Sequence, residues 1–420
     1  MKLLYITDVY PPEFETSVGS IVFNLAGGMK QRGHQVAILC ATRDRQKVGR
    51  SEENGIMVYR VFANFAEKLR AYLGLYNPQS VRDVKKVFVD FEPDVVHVHL
   101  VHYLLSYHVL KLAKQSGAKV VMTAHDVMLF HYGKMTEFIY RHPELVEGSG
   151  VIPIEFNYHV STWQLLKRFK KRYNPLRNII IRHYLNYVDK ILAVSESLKQ
   201  ALEQNGIKNV DVVYNGIDAD KWQTKNQEVE KFRQRFDLRD KKIVLFGGRL
   251  SGLKGSNQLV KTLALLKEKI VNLVLLVVGT EDNYASEIKK MADQNKVNVV
   301  FTGWLNGDDL KAAYYASDVV VTPSICLDTF NLMNIEAMAA AKPVVGTCFG
   351  GTPEIVKEQE TGFIINPYNT QDFANKIVTL LSDEELAEKM GEAGRRRVRD
   401  NFTLKQQIEN YLKWYTNNKS

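Results

Sequence analysis

The strongest constraint on this chain is an alternation that runs through it and then starts again. Short apolar runs rich in Val, Ile and Leu are separated by stretches whose apolar residues recur at helical spacing. The first series predicts strand 2–7, helix 18–32, strands 35–40 and 56–61, helix 79–91, strand 94–99, helix 103–116 and strand 118–123, with strands 190–194 and 210–213 closing it. In the first helix Val22, Leu25, Ala26 and Met29 share a face, and Gly33 stands where a left-handed residue ends a helix. The second series opens at strand 241–246. It continues through helix 255–268, strand 272–278, helix 284–294, strand 298–302, helix 307–316, strand 318–321, helix 332–341 and strand 343–346. Short buried strands alternating with helices mean parallel, doubly wound sheets. At 420 residues one core is too few, so the expectation is two α/β domains, joined around 214–240, facing across a cleft. The charged helices of 370–401 lead into a last one, 403–416, whose Phe402, Leu404, Ile408, Leu412 and Trp414 need a surface to pack on.

Composition narrows the setting. The apolar run from Leu3 ends at Asp8, so it reads as a first strand and not as a secretory leader. No apolar run approaches the roughly 18 residues that span a bilayer. Cys40, Cys326 and Cys348 are few and unpaired by spacing, which points to the cytoplasm. The formal charge of +9 favours anionic partners, and its distribution is uneven. Residues 131–187 break the alternation. From Phe156 to Val188 there is no acidic residue, while Lys167, Arg168, Lys170, Lys171, Arg172, Arg177 and Arg182 accumulate among Trp, Phe, Tyr and Ile. That mixture over 163–184 resembles an interfacial helix on an anionic membrane, at the inner face of the membrane for a cytoplasmic chain. A solvated face on a core helix broken near Pro175 has the same composition. No nucleic-acid reading module accompanies the patch, so no nucleic-acid partner is expected.

The chemistry concentrates at the C-terminal ends of strands, where open α/β sheets bind ligands. After strand 318–321 comes TPSICLDTFNLMNIEAMAAAKPVV, with Asp328 on a loop and Glu336 eight residues on, in a helix starting near Asn331. The N–H groups of that helix start suit an anion. A capped helix with a surface Asp and Glu reads the same way. After strand 241–246 the run FGGRLSGLKG supplies backbone freedom, Arg249 and Lys254, a guanidinium and an ammonium suited to a pyrophosphate. It is not a Walker A loop. Gly19-Ser20 open a helix after strand one, where small residues let a ligand approach the backbone. His125, in TAHD, ends a strand of the first domain and can hydrogen-bond a substrate oxygen. His97 and His99 share a strand face, but no third ligand stands at supporting spacing, so packed rings are expected and no metal. The turn TGWLN after strand 298–302 can read a base edge through its backbone.

Taken in order, PP…GS…L…RGHQV, EPDVVHVH, TAHD, AVSES, VYNGID, GGRLSGLKG, FTGWL, DVVVTPS, D-x7-E and GGTPEIV resemble retaining glycosyltransferases of family four, with the GT-B fold. The resemblance spans nearly all of the chain except 131–187 and the ends. It implies two Rossmann-like domains: 1–215, which binds the acceptor and is completed by the helix at 403–420, and 216–402, which binds a nucleotide-sugar donor. Arg249 and Lys254 would hold the diphosphate with amides around Phe330, Asn331, Leu332 and Met333. Glu336 would take the ribose hydroxyls and Leu305 the base. Asp328 and His125 would sit beside the transferred sugar, and Gly19 and Ser20 near the phosphates. The implied activity is transfer of a hexose-type sugar, with retention, no metal and no cofactor, to a saccharide or lipid-linked acceptor in polysaccharide or glycolipid biosynthesis. Three positions depart from the pattern: Asp328 for Glu, Asn331 for Gly and Ser20 for Gly. A nucleotide-sugar 2-epimerase, or a catalytically weak sugar-nucleotide-binding partner protein, are the alternatives.

Overall fold

The structure, a computed structural model, describes residues 1–12, 16–139, 155–248, 252–279 and 283–416. The chain forms two compact units, one of Met1–Gly133, Tyr158–Asn215 and Leu404–Ser420, the other of Lys134–Asn157 and Gly216–Thr403.

The first unit holds an eight-stranded sheet. In chain order its strands are β1 Lys2–Thr7, β2 Gln35–Thr42, β3 Gly49–Glu53, β4 Ile56–Phe62, β5 Val95–Leu100, β6 Lys119–Ala124, β7 Lys190–Ala193 and β8 Val210–Val212. Their spatial order is β3-β4-β2-β1-β5-β6-β7-β8. Every pairing is parallel except β3 with β4. That antiparallel edge was not expected, because GRSEE is polar and exposed and gives no apolar rhythm. Its signal is Asn54-Gly55, both left-handed at φ 51° and 71°, the residue pair of a tight hairpin turn. The helix expected over 103–116 is shorter, His108–Gln115. The buried carboxylate of Asp8 explains this, since it accepts the N–H groups of Tyr103, Leu104 and Leu105 at 2.6, 2.9 and 2.5 Å and holds them in a turn. Leu404–Thr416 packs on the helix Ser17–Gln31, so closely that a Cβ on Gly28 would lie 2.2 Å from Ile408 Cδ1.

The basic stretch is two helices, Thr162–Phe169 and Arg177–Leu185, where one interfacial helix over 163–184 was read from the sequence. A 3-10 turn at Lys170–Arg172, with Lys170 left-handed at φ 49°, separates them. Arg177 is buried and donates to the carbonyl of Met128, whereas Trp163, Leu176 and Ile179 are 66%, 58% and 62% exposed.

The second unit holds β9 Lys242–Gly247, β10 Leu273–Val278, β11 Asn298–Phe301, β12 Val319–Thr322, β13 Val344–Thr347 and β14 Gly362–Ile365. They pair in parallel in the order β11-β10-β9-β12-β13-β14. All six residues of β10, LVLLVV, are buried, as a strand covered on both faces requires. Between the two series, where only a junction was read, Asn226–Arg235 is a helix packed on Gly307–Ala316. Residues 134–139 and 155–157 group with the second unit, where a cut at residue 215 puts them in the first. Leu327 N–H donates to Met135 O at 2.9 Å, and the Phe138 and Phe156 rings lie 5.4 and 5.9 Å from Phe349.

Candidate active site

In the second sheet the chain leaves β9 for β10 on one side and later returns to lay β12 on the other. The loops after β9 and β12 therefore flank the switch point, where a doubly wound sheet leaves a crevice at its carboxyl edge. Two contacts lock these loops together. Ile325 N–H donates to Leu253 O at 3.0 Å, and Gly255, left-handed at φ 79°, lets Pro323 O come so near that a Cβ would lie 1.8 Å away. The result is that Lys254 Nζ reaches Asp328 Oδ2 at 2.7 Å.

The same oxygen accepts from Ser324 Oγ at 2.8 Å and from Asn331 Nδ2 at 3.2 Å. Asp328 is buried, which alone would raise its pKa, but Lys254, Lys134 and Ser324 outweigh burial and hold it down at about 2. Burial likewise pulls Lys254 down, and the Asp328 carboxylate more than offsets it, so the ammonium is secured. Asn331 does a second job. It is the N-cap of Leu332–Ala339, with Oδ1 accepting Met333 N–H at 3.1 Å. One of the helix-start amides expected to meet a phosphate is thus already engaged. Two of the three departures from the family pattern, Asp328 and Asn331, are bonded to each other.

Glu336 lies one turn into that helix and accepts from Tyr314 Oη at 2.6 Å. Burial raises its pKa, while the tyrosine hydrogen bond opposes the rise. Phe330 is buried with its ring 6.1 Å from Phe402, and Leu305 is buried in the loop after β11. Arg249 lies outside the described residues.

The remaining predicted residues belong to the first unit. His125 follows β6 directly, is 9% exposed, and has Nε2 2.8 Å from His99 Nδ1. Burial lowers its pKa to about 4, so the ring is neutral near neutrality. Thr16 caps the first helix and occupies both amides in question: Gly19 N–H donates to its Oγ1 at 3.1 Å and Ser20 N–H to its carbonyl at 3.0 Å. Gly19 is also a packing glycine, since a Cβ would lie 3.2 Å from Pro11 Cδ. A cavity of about 900 Å³ in this unit is lined by Tyr10, Pro11, Phe23, Lys47, Arg50 and Arg60, among others. Its arginines are already committed, Arg60 to Glu53 and Arg50 to Asp90. Among the described residues no group of His, Cys, Asp and Glu is arranged to hold a metal ion. Sequence reasoning missed Tyr314 and Asp8, whose partners Glu336 and Tyr103 to Leu105 lie on other elements, and Ser324, which bonds Asp328 within their own loop.

Residues 18–221 match Glycosyltransferase Family 4 and residues 228–397 match Glycosyl transferases group 1. Spore coat protein SA of Bacillus subtilis is 30% identical over 56% of this chain and 67% of its own length. YtcC of the same organism is 32% identical over 53% of this chain, and the match spans 59% of that protein. An uncharacterized glycosyltransferase of Methanocaldococcus jannaschii, MJ1607, is 26% identical over 91% of this chain and 90% of its own. Among solved structures, Anabaena HepE in complex with UDP and glucose superimposes with a TM-score of 0.71 at 19% identity, covering 99% of both chains. The chain belongs to the group 1 glycosyltransferases, family 4, and has their GT-B fold, two Rossmann-like α/β domains.

Proposed function

We propose that this glycosyltransferase retains anomeric configuration and moves a hexose-type sugar from a nucleoside-diphosphate sugar to a saccharide or lipid-linked acceptor, in polysaccharide or glycolipid biosynthesis. The observation that carries the proposal is the Lys254–Asp328 pair beside a helix start at the switch point of the second sheet. Departure of a nucleoside diphosphate leaves charge on a phosphate oxygen. A preorganised ammonium stabilises that charge more in the transition state than in the ground state. Lys254, with Arg249 of the same loop, would receive it. Asp328, ionised and with Oδ2 committed to three donors, is a poor nucleophile and a good acceptor for a sugar hydroxyl through its other oxygen. Glu336, steadied by Tyr314, would take the ribose hydroxyls. With no protein nucleophile in this scheme, the departing phosphate oxygen takes the acceptor proton on the face the leaving group vacates. That path retains configuration and asks for no metal or other cofactor. His125 would touch the transferred sugar, and the first unit would bind the acceptor.

The test is turnover of a panel of UDP-, GDP- and ADP-sugars, with and without saccharide acceptors, and the anomeric form of the product read by NMR. One donor is expected to be hydrolysed slowly alone and transferred faster with acceptor, with retention, unaffected by EDTA. An epimerised sugar nucleotide released without acceptor, or binding without turnover, overturns the proposal.

The enzyme would work at the cytoplasmic face of a membrane. Among the described residues no helix is long and apolar enough to cross one. The support for peripheral contact is the exposed apolar set Trp163, Leu176 and Ile179 beside Lys167, Arg168, Lys170 and Lys171. Sedimentation with anionic liposomes that falls with salt is expected; binding indifferent to lipid charge and salt overturns it.

A further inference from the structure

Three imidazoles lie in series along β5 and just past β6. The His97 and His99 centroids are 4.2 Å apart, and those of His99 and His125 are 5.1 Å apart and nearly coplanar at 23°. The outer ring, His97, has both nitrogens engaged, Nδ1 with Tyr415 Oη at 2.6 Å and Nε2 with Thr123 Oγ1 at 2.7 Å. Thr123 spends its own proton on Tyr411 Oη at 3.2 Å, so its oxygen accepts from His97 Nε2–H. His97 is thereby pinned from the helix Leu404–Thr416 and has no bond to give its neighbour.

His99 differs. Nδ1 faces His125 Nε2 at 2.8 Å, while Nε2 is buried with no hydrogen-bond partner. Two neutral rings can share that bond in two ways. If His125 donates, the proton of His99 must sit on Nε2, where it is a buried N–H with no acceptor. If His99 donates, only a lone pair is left without a partner. Orphaned buried donors are the rarer and costlier state, so the second arrangement prevails. Burial drives the pKa of both rings down, His99 well below its ordinary value, which keeps the pair neutral.

We infer that His99 is the positioning residue for His125, donating from Nδ1 to His125 Nε2 and so fixing the His125 proton on Nδ1. It rests on the reading that His125 meets substrate. Its consequence is chemical: His125 Nε2 is sealed against taking a proton from an acceptor hydroxyl, and the ring acts toward a substrate oxygen as a donor dipole, not as a general base. Without the bond His125 Nε2 is no longer held as an acceptor and is open to carry the proton, which would present a lone pair where a donor is needed.

The test is the tautomer itself, read by long-range proton–nitrogen correlation on the full chain labelled with nitrogen-15 histidine. In the unaltered protein His125, assigned by the loss of its signals in His125→Gln, is expected to carry its proton on Nδ1. His99→Phe should release it to Nε2 or to a mixture, and His99→Asn, whose amide donates from near the Nδ1 position, should restore Nδ1. With an active donor, His99→Phe should lower kcat about tenfold with donor KM within about twofold, and His99→Asn should recover most of it. A wild-type His125 protonated on Nε2 overturns the inference, as does an equal loss in both variants. If His99→Phe does not fold, the wild-type tautomer still decides. The NMR arm needs no turnover, so a protein that transfers no sugar would defeat the proposed function and leave this result standing.

Discussion

The two units solve the same problem with opposite chemistry. Each gathers candidate site residues toward the carboxyl ends of parallel strands, Asp328 and Lys254 in loops of the second unit and His125 just past β6 in the first. The second unit uses charge: Lys254 and Asp328 are bonded at 2.7 Å, with Ser324 and Asn331 filling the remaining valence of one oxygen. The first unit uses neutral rings: His97, His99 and His125 are buried, and their order comes from hydrogen bonds and stacking alone. A charged cluster tolerates burial only when each member is paired, whereas buried imidazoles are kept neutral by the penalty for charging them. The site proposed for a departing diphosphate would need the first solution, and a site proposed not to take a proton would need the second.

That contrast can be broken experimentally, beginning where the effect is largest. Lys254→Ala removes the charge facing the leaving group and unpairs Asp328, and kcat/KM is expected to fall about 10²–10³-fold in donor-turnover kinetics. Asp328→Ala should act mainly on kcat, by about ten- to a hundredfold, because the contact proposed for it with the transferred sugar would tighten as the bond breaks. Glu336→Ala should instead raise donor KM about tenfold with a smaller change in kcat, the mark of uniform binding. Kinetics with these last two patterns exchanged would reverse the roles.

Acid separates the regions without mutation. Burial lowers the pKa of His125 from 6.5 to about 4, so between those values the unfolded chain binds a proton that the folded one refuses. The stability it contributes is complete above 6.5 and drains away as pH falls toward 4, and His97 and His99 push the same way. Asp328, lowered from 3.8 to about 2, keeps its contribution in full above about 3.8 and loses it as pH falls toward about 2. Amide exchange at pH 5 should therefore report a loosened β5–β6 region in the first unit and an unchanged second one; loss of protection in both alike would show that the charged cluster also depends on neutral imidazoles. The smallest effect is local. Asn331→Ala deletes a helix cap and one donor to Asp328, and about 1 kcal/mol of stability should go with it in denaturant unfolding.

The sequence made the parallel core legible because strands buried on both faces are short and continuously apolar, and because glycines mark the loops behind them. It also brought Lys254, Asp328 and Glu336 to notice by order and spacing. What it left hidden was tertiary. The edge strand β3 is too polar for periodicity, although Asn54-Gly55 announces the hairpin. The Asp328–Asn331 bond turns two separate departures into one unit, and no spacing rule tells that an Asn side chain will cap one residue and hold another. His99 lay in plain view on a strand face, but its bond to His125 exists only because β5 pairs with β6, with Val98 opposite Met122.

The helix Leu404–Thr416 adds a constraint on how the molecule is made. It belongs to the first unit, yet roughly 190 residues of the second are translated between Asn215 and its start. At about 5–20 residues per second the ribosome needs on the order of 10–40 s to cover that distance. For all that time His97 lacks the Tyr415 hydroxyl on Nδ1, and Thr123, which accepts from its Nε2, lacks Tyr411. The first unit thus leaves the ribosome with its histidine stack open at one end, and it waits for the last helix before its interior is sealed.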